Sequence, residues 1–206
     1  MKLEEIDPLA HRLRSLEEER QKEKIILIPS ESICSSPVRE ALGSCFTNIY
    51  AEGYPSSRMS SCSERELEDF SYHNAFFRRY YDRKYYKGCD FVDYVESLAK
   101  RRCAELFAGN VSLDDIYVNV QPLSGAPANS AIYTAFLKPG DVLMGLALDC
   151  GGHLSHGSPS NRSGMLYDIV NYRIDRRGRL DYNQIEELAL KHKPKMIVSG
   201  FSAYPW

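Results

Sequence analysis

The chain has 206 residues, of which 43% are apolar, and its 26 basic and 28 acidic residues give a net charge of -2. Charges of both signs are interspersed along the chain, which argues against a nucleic-acid-binding surface. No run approaches the ~18 apolar residues that a membrane span needs, and six cysteines without a CxxC pair are typical of reduced thiols in a soluble, cytoplasmic protein without a structural metal.

The N-terminal segment is predicted to form an amphipathic helix followed by a short strand. The helix is indicated by apolar residues at helical spacing, namely Ile6, Leu9, Leu13 and Leu16. This apolar face packs either on a second subunit or on its own domain. The residues Ile25 to Ile28 are typical of a short strand, which Pro29 would end.

Three helices are predicted in the next hundred residues. Pro37 to Gly43 has proline near its start and glycine near its end, as short helices often do. Ser63 and Glu66 have the spacing of a capping box, which predicts an aromatic-rich helix from Glu64 to about Tyr81. Asp90 is expected to cap a third helix with a broad apolar face.

From residue 116 onwards, strands and helices are predicted to alternate. The predicted elements are a strand at Ile116 to Val120, a helix at Gly125 to Phe136, a strand at Val142 to Leu146, a turn at His153, a strand near Met165 to Tyr172, a helix capped by Asp181 and a strand at Lys195 to Ser199. This order favours an α/β fold, a three-layer α/β/α arrangement with a mainly parallel sheet between helices.

The turn before the helix at residue 125 has the composition of an anion-binding site. Ser124, Gly125 and Ala126 would present backbone N–H groups and a hydroxyl at a helix N-terminus. The turn at His153 follows the next strand, and a right-handed crossover would place it at the same edge of the sheet. A Ser-Gly turn is more often an ordinary helix cap, and an HxxH pair such as His153 and His156 is usually structural.

Six segments resemble the serine hydroxymethyltransferase family, in the order in which that family has them. They are LIPSES (Leu27 to Ser32), EALGSCFTNIYAEGYP (Glu40 to Pro55), YYKGCDFVDYVESLAKRR (Tyr85 to Arg102), NVQPLSGAPAN (Asn119 to Asn129), GGHLSHGSP (Gly151 to Pro159) and KPKMIVSGFSAYP (Lys193 to Pro205). The resemblance implies the N-terminal part of the large domain of an aminotransferase-like enzyme. Residues 1–35 would form an N-terminal arm and residues 36–206 would form that part of the domain.

The resemblance implies two ligands, the cofactor pyridoxal 5'-phosphate and the co-substrate tetrahydrofolate. The enzyme would interconvert serine plus tetrahydrofolate with glycine plus 5,10-methylenetetrahydrofolate. Cofactor-binding residues would be Tyr50, Ser124, Gly125, Ala126, His153 and Ser202. Within this set, His153 would stack on the pyridine ring and Ser202 would lie near the phenolic oxygen. The folate-binding residues would be Leu148, Gly152 and Leu154.

The resemblance also implies a catalytic acid or base and a dimer. Glu52 would carry a proton at the serine hydroxyl, a role that needs a carboxyl in a dry pocket. Ser30 and Tyr86 would lie close to the substrate. In the family the residues at Tyr50, Glu52 and Tyr86 reach into the neighbouring subunit, so a homodimer with shared active sites is expected.

The sequence departs from the family pattern in four respects. Residues 59–83 read as an insertion, which would serve as extra dimer contact or as a lid. Either Arg58 or Lys84 would then take the family's arginine position, Lys87 replaces a glycine, and Ala126 replaces a frequent serine. The THK segment with the Schiff-base lysine is absent from these 206 residues, which are therefore expected to be inactive alone.

Two other readings stay open at the level of sequence. One is another pyridoxal-phosphate-dependent aldolase of the same fold, such as a threonine aldolase. The other is a catalytically incomplete protein that binds and dimerises with a full-length subunit. The YAEGYP and GGHLSHGSP segments favour the hydroxymethyltransferase.

Overall fold

A computed structural model describes residues 1–77, 83–85 and 87–206. The described chain divides into two compact units, Met1–Ile33 with Asn129–Trp206 (unit 1) and Cys34–Ala128 (unit 2). In chain order the helices are α1 (Leu3–Ile6), α2 (Pro8–Glu23), α3 (Ser36–Leu42), α4 (Ser57–Ser60), α5 (Glu64–Leu67), α6 (Phe70–Phe77), α7 (Asp90–Phe107), α8 (Gly125–Phe136), α9 (Arg162–Leu166) and α10 (Tyr182–His192). The strands are β1 (Val142–Leu146), β2 (Asp168–Tyr172) and β3 (Met196–Val198).

Unit 1 contains a parallel sheet in the order β2-β1-β3. Val142 of β1 pairs with Asp168 of β2, and Leu143 pairs with Met196 of β3. The central strand β1 is almost wholly apolar, as expected for a strand that is covered on both faces. Its side chains from Leu143 to Leu146 are buried.

The two faces of the sheet carry separate apolar clusters. On one face Met144 and Leu146 pack with Tyr172 and with the α10 side chains Ile185 and Leu188. On the other face Leu143 packs with Tyr133 of α8, with Leu137 and with Tyr167. Alternate residues of β1 thus point to opposite sides, and helices cover both. The predicted α/β fold with a parallel sheet between helices is confirmed.

Unit 2 is organised around α7, whose buried residues include Asp93, Tyr94, Ser97, Lys100 and Ala104. Met59 of α4 and Leu67 of α5 pack on Tyr94, and Phe70 meets the Tyr94 ring edge-on at 5.3 Å. Part of the predicted insertion therefore packs within its own unit, a role distinct from the predicted lid or dimer contact.

The strands predicted at Ile25 to Ile28 and at Ile116 to Val120 are wrong. Both segments lack the ladder hydrogen bonds of a strand in the described chain, and Ile25 is 87% exposed. A β-branched run becomes a strand only when a neighbouring strand pairs with it, and sequence propensity does not supply that partner. The strand predicted from Met165 begins at Asp168, because Asn161 caps α9 by accepting from Ser163 N–H.

The predicted helix from Glu64 to Tyr81 is interrupted. The capping box of Ser63 and Glu66 is present, but α5 ends at Leu67 and α6 begins at Phe70. Residues 78–82 lie outside the described chain. Cys89, and not Asp90, occupies the N-cap position of α7. Asp181 caps α10 as predicted, by accepting from Gln184 N–H. Within the described ranges, no helix is both long and apolar enough to cross a bilayer.

Candidate functional site

The N-terminus of α8 carries the predicted phosphate-binding residues. The Ser124 carbonyl accepts from Ala128 N–H at 3.1 Å, which closes the first helical turn. Pro127 has no N–H group, and the N–H groups of Gly125 and Ala126 donate to no residue of the described chain. Two backbone donors therefore remain available at the positive end of a twelve-residue helix.

The residues that carry these donors are largely open to solvent. Ser124 and Gly125 are exposed and Ala126 is half-buried. A Cβ placed on Gly125 would meet no atom within 4 Å. Two N–H donors, the Ser124 hydroxyl and the helix dipole are the groups that bind phosphates at helix N-termini. The residues present thus fit the phosphate of a phosphorylated cofactor, without the extra hydroxyl that a serine at position 126 would add.

A tight turn after β1 presents His153. Leu148–Cys150 form a 3-10 turn, and Gly151 follows with φ of 97°, a left-handed conformation that favours glycine. Gly152 N–H then donates to the Ala147 carbonyl at 3.0 Å. A Cβ on Gly152 would lie 2.1 Å from the Leu146 carbonyl oxygen, so close packing by itself requires this glycine. Its predicted folate contact stays a prediction.

The His153 imidazole is exposed and is held at one nitrogen. Its Nδ1 lies 2.8 Å from Ser155 Oγ and accepts from Ser155 N–H at 3.1 Å. Asn129 Nδ2 of α8 donates to Ser155 Oγ at 2.8 Å. The ring thus has a fixed edge, whereas His153 Nε2 makes no hydrogen bond within the described chain.

His156 accepts a hydrogen bond from the backbone of the same turn. His153 N–H donates to His156 Nδ1 at 3.4 Å, and the two rings lie 5.8 Å apart. Burial lowers the pKa of His156, and the neighbouring His153 lowers it further. A buried imidazole with a lowered pKa stays neutral at physiological pH, which suits a role as hydrogen-bond acceptor. Within the described residues no group of His, Cys, Asp and Glu is arranged to hold a metal ion.

Ser202 is hydrogen-bonded to the same turn. Its backbone N–H donates to the Gly151 carbonyl at 2.7 Å, and Ala203 N–H donates to that oxygen at 3.2 Å. Unit 1 therefore brings together Ser202 and His153, which are 49 residues apart in sequence. Leu148 and Leu154 flank this turn with exposed side chains, 52% and 46% accessible.

Tyr50 and Glu52 lie in unit 2 before a short antiparallel bridge. Gly53 pairs with Lys84, and the Glu52 carbonyl accepts from Tyr85 N–H at 3.4 Å. Both side chains are exposed in the single chain. The dry pocket predicted for the Glu52 carboxyl is therefore not supplied by the described residues of unit 2.

Lys84 anchors this bridge through a buried ion pair. Its side chain is 1% exposed, and its Nζ lies 3.1 Å from Asp93 Oδ1 and 3.9 Å from Glu96 Oε2. Nζ also donates to the Gly53 carbonyl at 3.3 Å. Asp93 Oδ1 has no other partner within the described chain, so Lys84 is the group that compensates the charge of this carboxylate. Arg58 instead lies over the Phe76 ring at 4.6 Å.

Ser30 and Tyr86 are the remaining residues predicted to lie close to the substrate. Ser30 is exposed in a turn in which Glu31 N–H donates to the Ile28 carbonyl. Tyr86 lies outside the described residues.

The residues that support His153 are not among those predicted from the sequence. Asn129 and Ser155 form the hydrogen-bond chain to the imidazole, and the Tyr133 hydroxyl donates to the Ser155 carbonyl at 2.9 Å. Tyr133 is buried, which raises the pKa of its hydroxyl to about 12. Asn129 and Ser155 belong to the NVQPLSGAPAN and GGHLSHGSP segments, which was the available signal.

The chain was compared with known protein families. A family model described as "Serine hydroxymethyltransferase" matches residues 3–71 and 66–206. The two matched segments cover almost the whole chain and include every site residue named above. The chain therefore belongs to the serine hydroxymethyltransferase family.

Proposed function

We propose that this chain supplies the part of a serine hydroxymethyltransferase that binds pyridoxal phosphate and the substrates. Members of the family are pyridoxal-phosphate-dependent transferases of one-carbon metabolism that act on serine, glycine and folate. The observation that carries the proposal is the start of α8, where the N–H groups of Gly125 and Ala126 donate to no residue of the described chain and Gly125 is exposed.

The proposed cofactor contacts divide between phosphate and ring. Ser124, Gly125 and Ala126 bind the phosphate, with Tyr50 as a further contact. When bound, the cofactor supplies a ring that takes up electrons from the substrate. His153 holds the plane of that ring by stacking, and Ser202 donates at its phenolic oxygen. The hydrogen bond between Ser202 N–H and the Gly151 carbonyl supports a joint role for Ser202 and His153, because Gly151 belongs to the turn that presents His153.

The proposed substrate contacts involve proton transfer and positioning. Glu52 holds and moves the proton of the serine hydroxyl. Ser30 and Tyr86 orient the substrate. Leu148, Gly152 and Leu154 contact tetrahydrofolate, and the exposed leucine side chains beside His153 support an apolar contact there.

We infer a homodimer in the cytoplasm. Tyr50, Glu52 and Tyr86 then act in the neighbour's site, which supplies the desolvation that the Glu52 carboxyl lacks in the single chain. The apolar stripe of α1 and α2 supports this inference, because none of its side chains is buried within its own unit. The exposed fractions are 63% for Ile6, 67% for Leu9, 59% for Leu13 and 49% for Leu16.

We further propose that residues 1–35 form a dimer arm, that residues 36–206 belong to the cofactor-binding domain and that residues 59–83 are an insertion. The two segments matched by the family model meet at residues 66–71, inside the proposed insertion. Lys84 is the better candidate for the family's arginine position, because it pairs with Gly53 of the AEGYP segment.

A Gly125→Asp variant tests the phosphate site. An acidic residue in the first turn of a helix is favourable for folding, so α8 should be retained. Its carboxylate would repel a phosphate only a few ångströms away, and we expect the affinity for pyridoxal phosphate to fall about tenfold or more. The affinity is measured by titrating the chain with pyridoxal phosphate and with unphosphorylated pyridoxal, and binding of the latter should change little.

Tyr182→Asp is the matched control for this test. Tyr182 is the first residue of α10, so this variant also adds an acid to a helix N-terminus, and the position is 74% exposed. It should bind pyridoxal phosphate as the parent chain does. Equal affinity of Gly125→Asp and Tyr182→Asp would contradict a phosphate site at α8.

Residues 1–206 by themselves are expected to release no glycine from serine. The THK segment with the Schiff-base lysine is not among them, so the family's covalent chemistry lacks its lysine. The assay measures glycine formed from serine with pyridoxal phosphate, with and without tetrahydrofolate. Glycine release that depends on both compounds would refute this expectation, and release independent of folate would favour a simple aldolase.

A further inference from the structure

We propose that Asn129 and Ser155 are positioning residues that fix the tautomer and the orientation of the His153 imidazole. The inference deepens the proposed stacking role of His153 and rests on it. It starts from a hydrogen-bond chain within unit 1, in which Asn129 Nδ2 lies 2.8 Å from Ser155 Oγ and that oxygen lies 2.8 Å from His153 Nδ1.

The direction of the chain is set by the backbone. Ser155 N–H lies 3.1 Å from His153 Nδ1, and a backbone N–H can only donate. Nδ1 must therefore carry a lone pair, and the proton of the neutral ring lies on Nε2. The single Ser155 hydroxyl hydrogen can then point to Nδ1 as a second donor.

Asn129 completes this assignment. Once the Ser155 hydroxyl donates to Nδ1, its oxygen is free to accept, and the Asn129 amide donates to it. The opposite polarity would place a proton on Nδ1 facing the Ser155 N–H, which leaves a buried donor without an acceptor. Only an unprotonated Nδ1 gives a hydrogen-bond partner to the Ser155 N–H, to the Ser155 hydroxyl and to the Asn129 amide.

The surroundings make the arrangement rigid. Ser155 is 2% exposed, and Tyr133 OH holds its carbonyl at 2.9 Å. The His153 ring is thus gripped along one edge by a buried hydroxyl and a backbone amide. His153 itself remains exposed, as stacking on a flat cofactor ring requires. The side-chain network pre-organises the ring before any ligand arrives.

The test is the tautomer of His153 measured by nitrogen NMR on the 206-residue chain. The chain has five histidines, and a His153→Gln variant identifies the signals of interest. We expect a single tautomer, with the Nδ1 chemical shift of an unprotonated nitrogen and the Nε2 shift of a protonated one. A proton on Nδ1, or an even mixture of tautomers, overturns the proposal.

Variants of the chain separate positioning from general destabilisation. In Asn129→Asp the new carboxylate accepts the Ser155 hydroxyl hydrogen, which then no longer donates to His153 Nδ1. Ser155→Ala removes that hydroxyl. Each should lower the ratio of Nε2–H to Nδ1–H tautomers about fivefold, the factor for one lost hydrogen bond. Ser155→Thr keeps the hydroxyl and should keep the tautomer. Unchanged ratios in both Asn129→Asp and Ser155→Ala contradict the proposal.

Ser163→Ala is the matched control, because Ser163 is as buried as Ser155, at 2%, and its hydroxyl donates to Asn161 and accepts from Gly157 N–H without contacting an imidazole. It should leave the His153 signals unchanged. A titration with pyridoxal phosphate distinguishes the two proposals. If the single tautomer is present but the His153 signals do not respond to saturating pyridoxal phosphate, the positioning chain stands and the stacking role fails.

Discussion

A Gly151→Ala variant is expected to lose about 4 kcal/mol or more of its free energy of unfolding, in the exceptional range for single substitutions. Two costs add at this residue. Its φ of 97° is unfavourable for any residue with a Cβ, and the Cβ would lie 2.1 Å from the Ala203 carbonyl oxygen and 2.9 Å from the Ala203 carbonyl carbon. Backbone atoms cannot rotate away as a side chain can, so the turn or the Ser202–Ala203 segment must move.

Gly140→Ala separates these costs. Gly140 also has a positive φ, 85°, but a Cβ there would meet no atom within 4 Å. Its variant should therefore lose about 1 to 2 kcal/mol, the cost of the left-handed conformation alone. Urea-induced unfolding of both variants measures the difference. Similar losses in Gly151→Ala and Gly140→Ala would show that the Ala203 contact does not constrain the turn.

The position of Ser202 depends on the same contact. The Gly151 carbonyl accepts from Ser202 N–H and from Ala203 N–H. If the added methyl group of the Gly151→Ala variant pushes the segment away, both hydrogen bonds are lost together with the proposed alignment of Ser202 beside His153. Faster amide hydrogen exchange at Ser202 and Ala203 in the variant would report this loss.

A Lys84→Met variant is expected to lose about 3–5 kcal/mol, as buried ion pairs do when one partner is removed. Methionine fills a similar volume, so the loss comes from charge. The Asp93 carboxylate, 7% exposed, would be left buried without its cation, and Glu96 lies nearby. Lys87→Met is the matched control, because Lys87 is exposed, and it should change the unfolding free energy by less than about 0.5 kcal/mol.

The double variant Lys84→Met with Asp93→Leu distinguishes a lost pair from lost packing. Replacing a whole buried pair with apolar residues is often neutral, so the double variant should recover most of the stability lost in Lys84→Met. A double variant as unstable as the sum of the two single variants would mean that the ion pair is not the cause.

The same pair predicts a pH dependence with a definite sign. Burial raises the pKa of Asp93, and this effect outweighs the opposing effect of Lys84. Because the folded state binds this proton more tightly than the unfolded state, the contribution of Asp93 to stability falls as pH rises from the ordinary aspartate range to the raised pKa. Urea-induced unfolding at acidic and at neutral pH measures this contribution to the free energy of unfolding. Asp93→Asn should flatten this dependence, and an unchanged slope would contradict it.

Local patterns predicted the elements whose signals lie within a few residues. The capping box at Ser63 and Glu66, the Asp181 cap, the helix Gly125–Phe136 and the strand Val142–Leu146 are all confirmed. Caps and helical starts depend on neighbours three residues apart, and a fully apolar strand is typical of a covered parallel sheet. The predicted strand at Ile116 to Val120 was wrong, because no strand of the described chain pairs with it and a β-branched run does not supply that partner by itself.

The candidate site shows the same difference between what sequence patterns predict and what the fold decides. Sequence motifs predicted Ser124, Gly125, His153 and Ser202 as site residues, and the matching family model shows the family in which those motifs occur. They did not indicate that Ser155 and Asn129 grip the imidazole, or that Lys84 is buried against Asp93. Asn129 and Ser155 are 26 residues apart in sequence, and the contact of Lys84 with Asp93 depends on how the segment before α7 folds against that helix.

The sequence by itself determined the family, the α/β fold class and the residue types of the site, because motif order and short-range periodicity survive without coordinates. The tertiary structure decided which strands pair, why Gly151 and Gly152 must be glycines, and which hydrogen bonds fix the His153 ring. The physical reason is that pairing, close backbone approach and hydrogen-bond polarity depend on atoms brought together by the fold, such as the Ala203 carbonyl at Gly151 and the Asn129 amide at Ser155.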